Sequence, residues 1–274
     1  MTLVVSNIAW EPDEEPLVAD TLQRLGVTAV EIAPTKVFAD PVTATDAEID
    51  DYLNFWRSHG VAVVAFQSML FGRPELTVFD DTAVRARTAE RLAGFLRLAG
   101  QMGVGPLVFG SPKNRRVPSG MPPWQASEIA AAFFRGLAED AEAAGAVLCI
   151  EPNPPAYECN FVNTAAEGRE LVDAVGRAGF GLHLDAAGLT LAGDDLRSAI
   201  ETSPRLDHFH ISAPFLAELE DEVVDHAAAA GALLDTGYAG HVSIEMRPAP
   251  AADTVARLER AVGLARRYYA PVIG

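Results

Sequence analysis

Short apolar runs alternate with longer amphipathic segments along the whole chain. The runs are Thr2–Ser6, Ala29–Ile32, Val61–Phe66, Pro106–Phe109, Val147–Ile150, Gly181–Leu184, His208–Ile211 and His241–Ile244. Their length and β-branched content predict buried parallel strands. Helical spacing occupies Leu17–Leu25, Asp46–His59, Thr82–Met102 and Ser127–Ala144, followed by Gly26, Gly60, Gly103 and Gly145. A glycine there suits a left-handed helix C-cap. The eight strand ends recur about every 34 residues, the length of a βαβ unit. Eight such units predict an α/β fold, a (β/α)8 TIM barrel, as a single domain over residues 1–274. A doubly wound sheet would carry a glycine-rich turn after its first strand. Ser6–Trp10 has none. The Pro- and Gly-rich stretch Gly110–Pro123 reads as a long loop after the fourth strand.

Composition narrows the classes. Of 274 residues, 49% are hydrophobic and 22% charged, which excludes a disordered chain or a fibrous repeat. Lys and Arg number 21 against 38 Asp and Glu, a formal charge of −17. Such a surface repels phosphate backbones and anionic lipid, so neither nucleic acid nor membrane is an expected partner. Two cysteines, Cys149 and Cys159, make no disulfide framework and suggest a reducing compartment. The N-terminus lacks a basic, then apolar, signal pattern. The longest apolar region, Val61–Phe71, is too short to span a bilayer. A cytoplasmic location is expected.

In a barrel the active site lies at the C-terminal ends of the strands. Polar residues that end apolar runs are therefore the candidates: Asn7, Glu31, Gln67, Glu151 with Asn153, Asp185, His210, and Glu245 with Arg247. Residues two apart on a strand share a face. Glu151, Asp185, His210 and Glu245 can thus converge from four consecutive strands. Three carboxylates in a dry pocket require a positive partner, and one divalent metal ion supplies it. Oxygen ligands with one imidazole suit Mn2+, Mg2+ or Co2+ first, with Zn2+ or Fe2+ as further options. His183 and His208 lie one layer deeper and are expected to hydrogen-bond the ligands.

The segments Ile150–Pro155 (IEPNPP), Gly181–Leu189 (GLHLDAAGL), His208–Ser212 (HFHIS) and Gly237–Arg247 (GYAGHVSIEMR) resemble the xylose isomerase-like TIM barrels. That superfamily contains sugar and sugar-phosphate isomerases and epimerases, and also endonuclease IV. The resemblance implies that Glu151, Asp185, His210 and Glu245 hold the metal, as the quartet does in the ketose epimerases. It also implies that Glu151 and Glu245 are the acid/base pair, and that Glu158 contacts substrate. Many members carry a histidine three residues after the sixth-strand aspartate, where this chain has Gly188. The segment from Ile211 to Glu222 also lacks the arginine that ketose epimerases place near the substrate. Both departures point to a different substrate or to substitute contacts.

The expected chemistry is proton transfer next to a carbonyl, through an enediolate stabilised by the divalent ion. Return of the proton from the far face epimerises, and transfer between neighbouring carbons isomerises. Elimination would make a dehydratase or lyase. A phosphodiesterase like endonuclease IV would need more histidines and a basic groove, and a metal-free sugar-binding barrel is the remaining class. Lys113, Arg115 and Arg116 suggest an anion clamp for a substrate phosphate or carboxylate. Lys113, Arg115, Asn7, Glu31, Gln67, Asn153, Glu158 and Arg247 are accordingly the candidate substrate contacts. Trp10, Phe71, Phe109 and Trp124 are candidate pocket walls. A small carbohydrate or related hydroxy-carbonyl compound is the expected substrate, and a homodimer or tetramer the expected assembly.

Overall fold

The computed structural model of the protein describes residues 1–220 and 223–273. Eight strands, β1 (Thr2–Ser6), β2 (Ala29–Ile32), β3 (Ala62–Phe66), β4 (Pro106–Phe109), β5 (Val147–Ile150), β6 (Phe180–Asp185), β7 (Leu206–Ser212) and β8 (His241–Glu245), close into a barrel in chain order. Every pairing is parallel, including β1 with β8. The fold is the (β/α)8 barrel that the spacing predicts. Parallel strands sealed on both faces must be apolar throughout. Val4, Val5, Val30, Ile32, Phe66, Leu107, Leu148, Ile150, Phe209, Val242 and Ile244 are accordingly buried. Each such side chain contributes about 1.5–3 kcal/mol.

The main covering helices are α1 (Glu15–Leu25), α2 (Pro34–Val37), α3 (Asp46–Ser58), α4 (Thr82–Met102), α5 (Pro123–Ala144), α6 (Ala165–Val175), α7 (Ala186–Ala192), α8 (Leu196–Glu201), α9 (His226–Asp235) and α10 (Thr254–Tyr269). Helices α1, α4 and α5 stop at Gly26, Gly103 and Gly145, each left-handed. Helix α3 is capped by His59 instead, and Gly60 turns the chain one residue later. Helix α5 seats on the sheet through Phe134, whose ring lies 5.4 Å from Phe109 and 4.8 Å from Phe180. Among the described residues, no helix is long and apolar enough to cross a membrane. Both cysteines are buried and unpaired.

Strand register sets the height of the polar residues. Asp185 pairs with His210, His210 with Ser243, and Ser212 with Glu245. The side chains singled out from β6, β7 and β8 therefore stand in one band at the C-terminal rim. Asp221 and Glu222, at the end of the segment that lacks an arginine, lie outside the described residues.

Candidate active site

A cavity of about 430 Å³ opens at the C-terminal mouth of the barrel. Glu151, Asp185 and Glu245 line its floor, with Gln67 and Asn153 beside them. Carboxylate oxygens of Glu151 and Asp185 and a ring nitrogen of His210 all lie within 4.8 Å of one another. Glu245 closes the group, its Oε2 3.2 Å from His210 Nδ1. Asn153 Nδ2 donates to Glu151 Oε2 at 3.2 Å and to the Gly110 carbonyl at 2.8 Å. At Gly110 a Cβ would overlap Glu151 Oε2, so glycine lets β4's end pass this carboxylate without displacing it. Asp185 doubles as the N-cap of α7, accepting from Gly188 N–H at 2.6 Å through Oδ1.

The electrostatics are those of crowded anions. Burial pushes the Asp185 carboxyl up to about 7, reinforced by the charges of Glu245 and Glu151. Burial likewise raises Glu151. Burial disfavours a charged His210, yet the Glu31 and Glu245 carboxylates outweigh it and hold the ring well above the usual histidine range. His183 is pushed well below that range by burial and by the two neighbouring imidazoles.

These residues fit a divalent cation. Asp185 Oδ2 and His210 Nδ1 are buried and make no hydrogen bond. Both point into a group of three carboxylates whose own positive charge is one imidazole. Oxygen and nitrogen atoms less than 5 Å apart suit shared ligation at about 2.0–2.6 Å. His210 Nε2 meanwhile donates to Glu31 Oε2 at 2.9 Å, so Nδ1, 3.2 Å from Glu245 Oε2, is the nitrogen turned toward the carboxylates. A metal at Nδ1 would compete with the proton there.

Glu31, a candidate substrate contact in the sequence, does not line the cavity. It is wholly buried beneath the cavity and accepts from His208 Nε2 at 3.2 Å, His210 Nε2 at 2.9 Å and Ser243 Oγ at 2.7 Å. Burial opposes its charge, but His210 and His208 hold it well below the usual carboxylate range. The deeper histidines differ from each other. His183 Nε2 lies 3.4 Å from Glu151 Oε1, whereas His208 serves Glu31 rather than a member of the quartet.

The cationic loop lies away from the cavity wall. Arg115 is fully buried and donates to the carbonyls of Phe109 at 3.1 Å and Glu151 at 2.6 Å, and to Cys159 Sγ at 3.6 Å. It ties the ends of β4 and β5 together behind the cavity. Asn114 beside it holds the preceding loop through the carbonyls of Arg73 and Leu76. Lys113 is exposed and outside the cavity wall, and Arg116 turns to Glu158, 3.8 Å away. Among the described residues, no lysine or arginine lines the cavity. Asn7 is buried too, its Oδ1 accepting from Ala33 N–H at 2.7 Å to pin the loop after β2. Glu158 and Arg247 are exposed and lie outside the wall. Of the aromatic candidates, Phe71 and Phe109 line the cavity, Trp10 is packed against Trp56, and Trp124 stands exposed on α5.

The sequence reading missed Tyr157, Phe215 and Leu216, which complete the rim. Tyr157 OH accepts from Phe215 N–H at 3.0 Å. Burial and the floor carboxylates push its hydroxyl up to about 12, so it stays protonated. The signal present was Tyr157 itself, an amphipathic aromatic six residues beyond Glu151 on the same loop.

A family model described as xylose isomerase-like TIM barrel matches residues 19–264. The L-ribulose 3-epimerase of Mesorhizobium japonicum is 31% identical over 170 residues, 60% of this chain and 56% of the relative's own length. A crystal structure of D-psicose 3-epimerase in the presence of D-fructose superposes with a TM-score of 0.82 at 20% identity, covering 98% of this chain and 99% of that one. The IOLI protein with a bound zinc atom gives a TM-score of 0.72 at 18% identity, covering 98% and 99%.

Proposed function

The chain belongs to the xylose isomerase-like TIM barrel family, and from that premise we propose that it is a divalent-metal-dependent sugar epimerase or isomerase. The observation that carries the reading is the convergence of Glu151, Asp185 and His210 within 4.8 Å at the mouth, with Glu245 against His210. Glu151, Asp185, His210 and Glu245 would hold the ion. When bound, it would supply Lewis acidity toward a substrate carbonyl oxygen. The zinc of the IOLI protein and the ketose substrates named for the two epimerases support this choice over a non-catalytic barrel.

The chain's own residues supply the proton chemistry. A C–H beside a carbonyl needs a base held against it. Glu151 on the floor is the proposed base for one face, and Asn153 fixes its Oε2. Glu245 stands on β8, across the floor, to serve the opposite face. Gln67 and Asn153 offer amides to substrate hydroxyls. Three carboxylates, with no lysine or arginine lining the cavity among the described residues, favour an unphosphorylated sugar over a sugar phosphate.

The test is exchange of substrate C–H protons with deuterated water across a panel of ketopentoses and ketohexoses. In Glu151→Gln and Glu245→Gln an oxygen donor remains and the base is gone. Exchange is expected to fall by about 10²-fold or more while metal content is largely kept. Exchange at the parent rate in a metal-replete Glu245→Gln protein would rule out the two-glutamate mechanism.

A further inference from the structure

Two consecutive residues at the cavity mouth, Phe215 and Leu216, hold left-handed backbone conformations, with φ of 58° and 56°. Non-glycine residues adopt this region only when the surroundings impose it, and such positions cluster at functional sites. Here two hydrogen bonds impose it. Phe215 N–H donates to Tyr157 OH, and the Leu216 carbonyl accepts from Arg247 N–H at 2.8 Å. The result is a strap from the loop after β7 to the loop after β5. The rings of Tyr157 and Phe215 meet edge to face, centroids 5.4 Å apart.

The strap leaves two features without an internal use. Phe215 is 58% exposed although it lines the cavity, and Phe71 stands 76% exposed on the same rim. Tyr157 OH accepts a hydrogen bond, yet its own proton has no acceptor among the described residues. The cavity is therefore graded. Its floor is anionic, and its wall carries the rings of Phe71, Tyr157 and Phe215 together with the hydroxyls of Ser68 and Ser111.

We propose that Tyr157 and Phe215 are specificity-determining residues, which select an uncharged ketose whose end distant from the floor is apolar, such as a terminal-deoxy sugar. The Phe215 ring covers that end, as aromatic faces cover C–H surfaces. The Tyr157 hydroxyl donates to the nearest remaining oxygen. A substrate hydroxyl facing Phe215 gains no hydrogen-bond partner from the ring, where a methyl group gains apolar contact, and a phosphate would also meet the field of the floor. The inference rests on the sugar-epimerase reading of the cavity.

The experiment uses the metal-replete protein with a 2-ketohexose, its 6-deoxy analogue and its 6-phosphate. Turnover gives kcat and KM, and calorimetry gives Kd. The parent is expected to prefer the 6-deoxy sugar. Phe215→Ala should raise its KM and Kd by roughly tenfold with kcat held within a few-fold, the discrimination an apolar contact can provide. Tyr157→Phe, which keeps the ring, should raise KM for both neutral sugars. If the parent binds and turns over neutral ketoses but neither variant shifts KM or Kd, the strap is not a specificity element. If the parent neither binds nor turns over any sugar, the epimerase reading fails and this inference with it. Loss of self-association in Phe215→Ala with unchanged KM would reassign the rim to a contact between copies.

Discussion

Glu31 accepts three hydrogen bonds on one buried carboxylate and so decides which nitrogen of His210 faces the cavity. A ligand histidine oriented by a carboxylate binds metal better than a free one. Glutamine at this position would keep one acceptor oxygen and turn the other atom into a donor, so it cannot serve both histidines. Glu31→Gln is expected to weaken Mn2+ or Zn2+ binding by about 10- to 100-fold, read by calorimetric titration. An unchanged affinity would mean that His210 holds its orientation without Glu31. The sequence shows Glu31 as a polar strand end, which locates its height but not its partners. Those partners are about 180 positions away on β7 and are set by barrel closure. The sequence likewise shows Lys113, Arg115 and Arg116 as neighbouring cations that suit an anion clamp, and only the fold of the loop buries Arg115 against the carbonyls of Phe109 and Glu151.

Among the elements, β6 and β7 enclose an unpartnered carboxylate oxygen far from the mouth. Asp207 stands near the start of β7, and Gly181 on β6 makes room for it, since a Cβ there would overlap Asp207 Oδ2. That oxygen has no hydrogen bond, and Arg205 is 3.9 Å away. Burial raises the Asp207 carboxyl above its ordinary 3.8, only partly offset by Arg205. A carboxyl raised in the fold binds its proton more tightly there than in the unfolded chain. Stability is then lost as pH rises from 3.8 through the raised value, and the loss persists above it. Asp207→Asn should therefore melt higher than the parent at neutral pH, with the gap closing in acid. A gap independent of pH would refute the titration. The elements themselves were legible, because the eight apolar runs match the strands to within about two residues at either end. Of the helices, α1, α3, α4 and α5 match the helical spacing read from the sequence, whereas α6, α9 and α10 do not appear in that reading, and α7 and α8, at six or seven residues, are too short to display a helical period.

For the whole molecule, the proposed ion would bind the fold and not the unfolded chain, because its carboxylates meet only when the barrel closes. At 100-fold excess over Kd, such binding adds about 2.7 kcal/mol. For a domain of this size that raises the melting temperature by roughly 5–10 °C. Scanning calorimetry after chelation, and again after adding Mn2+, checks it; equal midpoints would argue against a site at the mouth. The architecture was readable from the spacing of strand ends, and the quartet from their period of two. The rim was not, because its shape belongs to loops that meet only once the barrel is closed. That separation has an evolutionary consequence. The residues proposed to move protons are anchored at strand ends, where any backbone shift would disturb the sheet. Tyr157, Phe215 and Phe71 sit in connecting segments outside the strands. Descendants of such a chain can exchange one substrate for another by drifting in those segments alone, with the inherited chemistry carried forward intact.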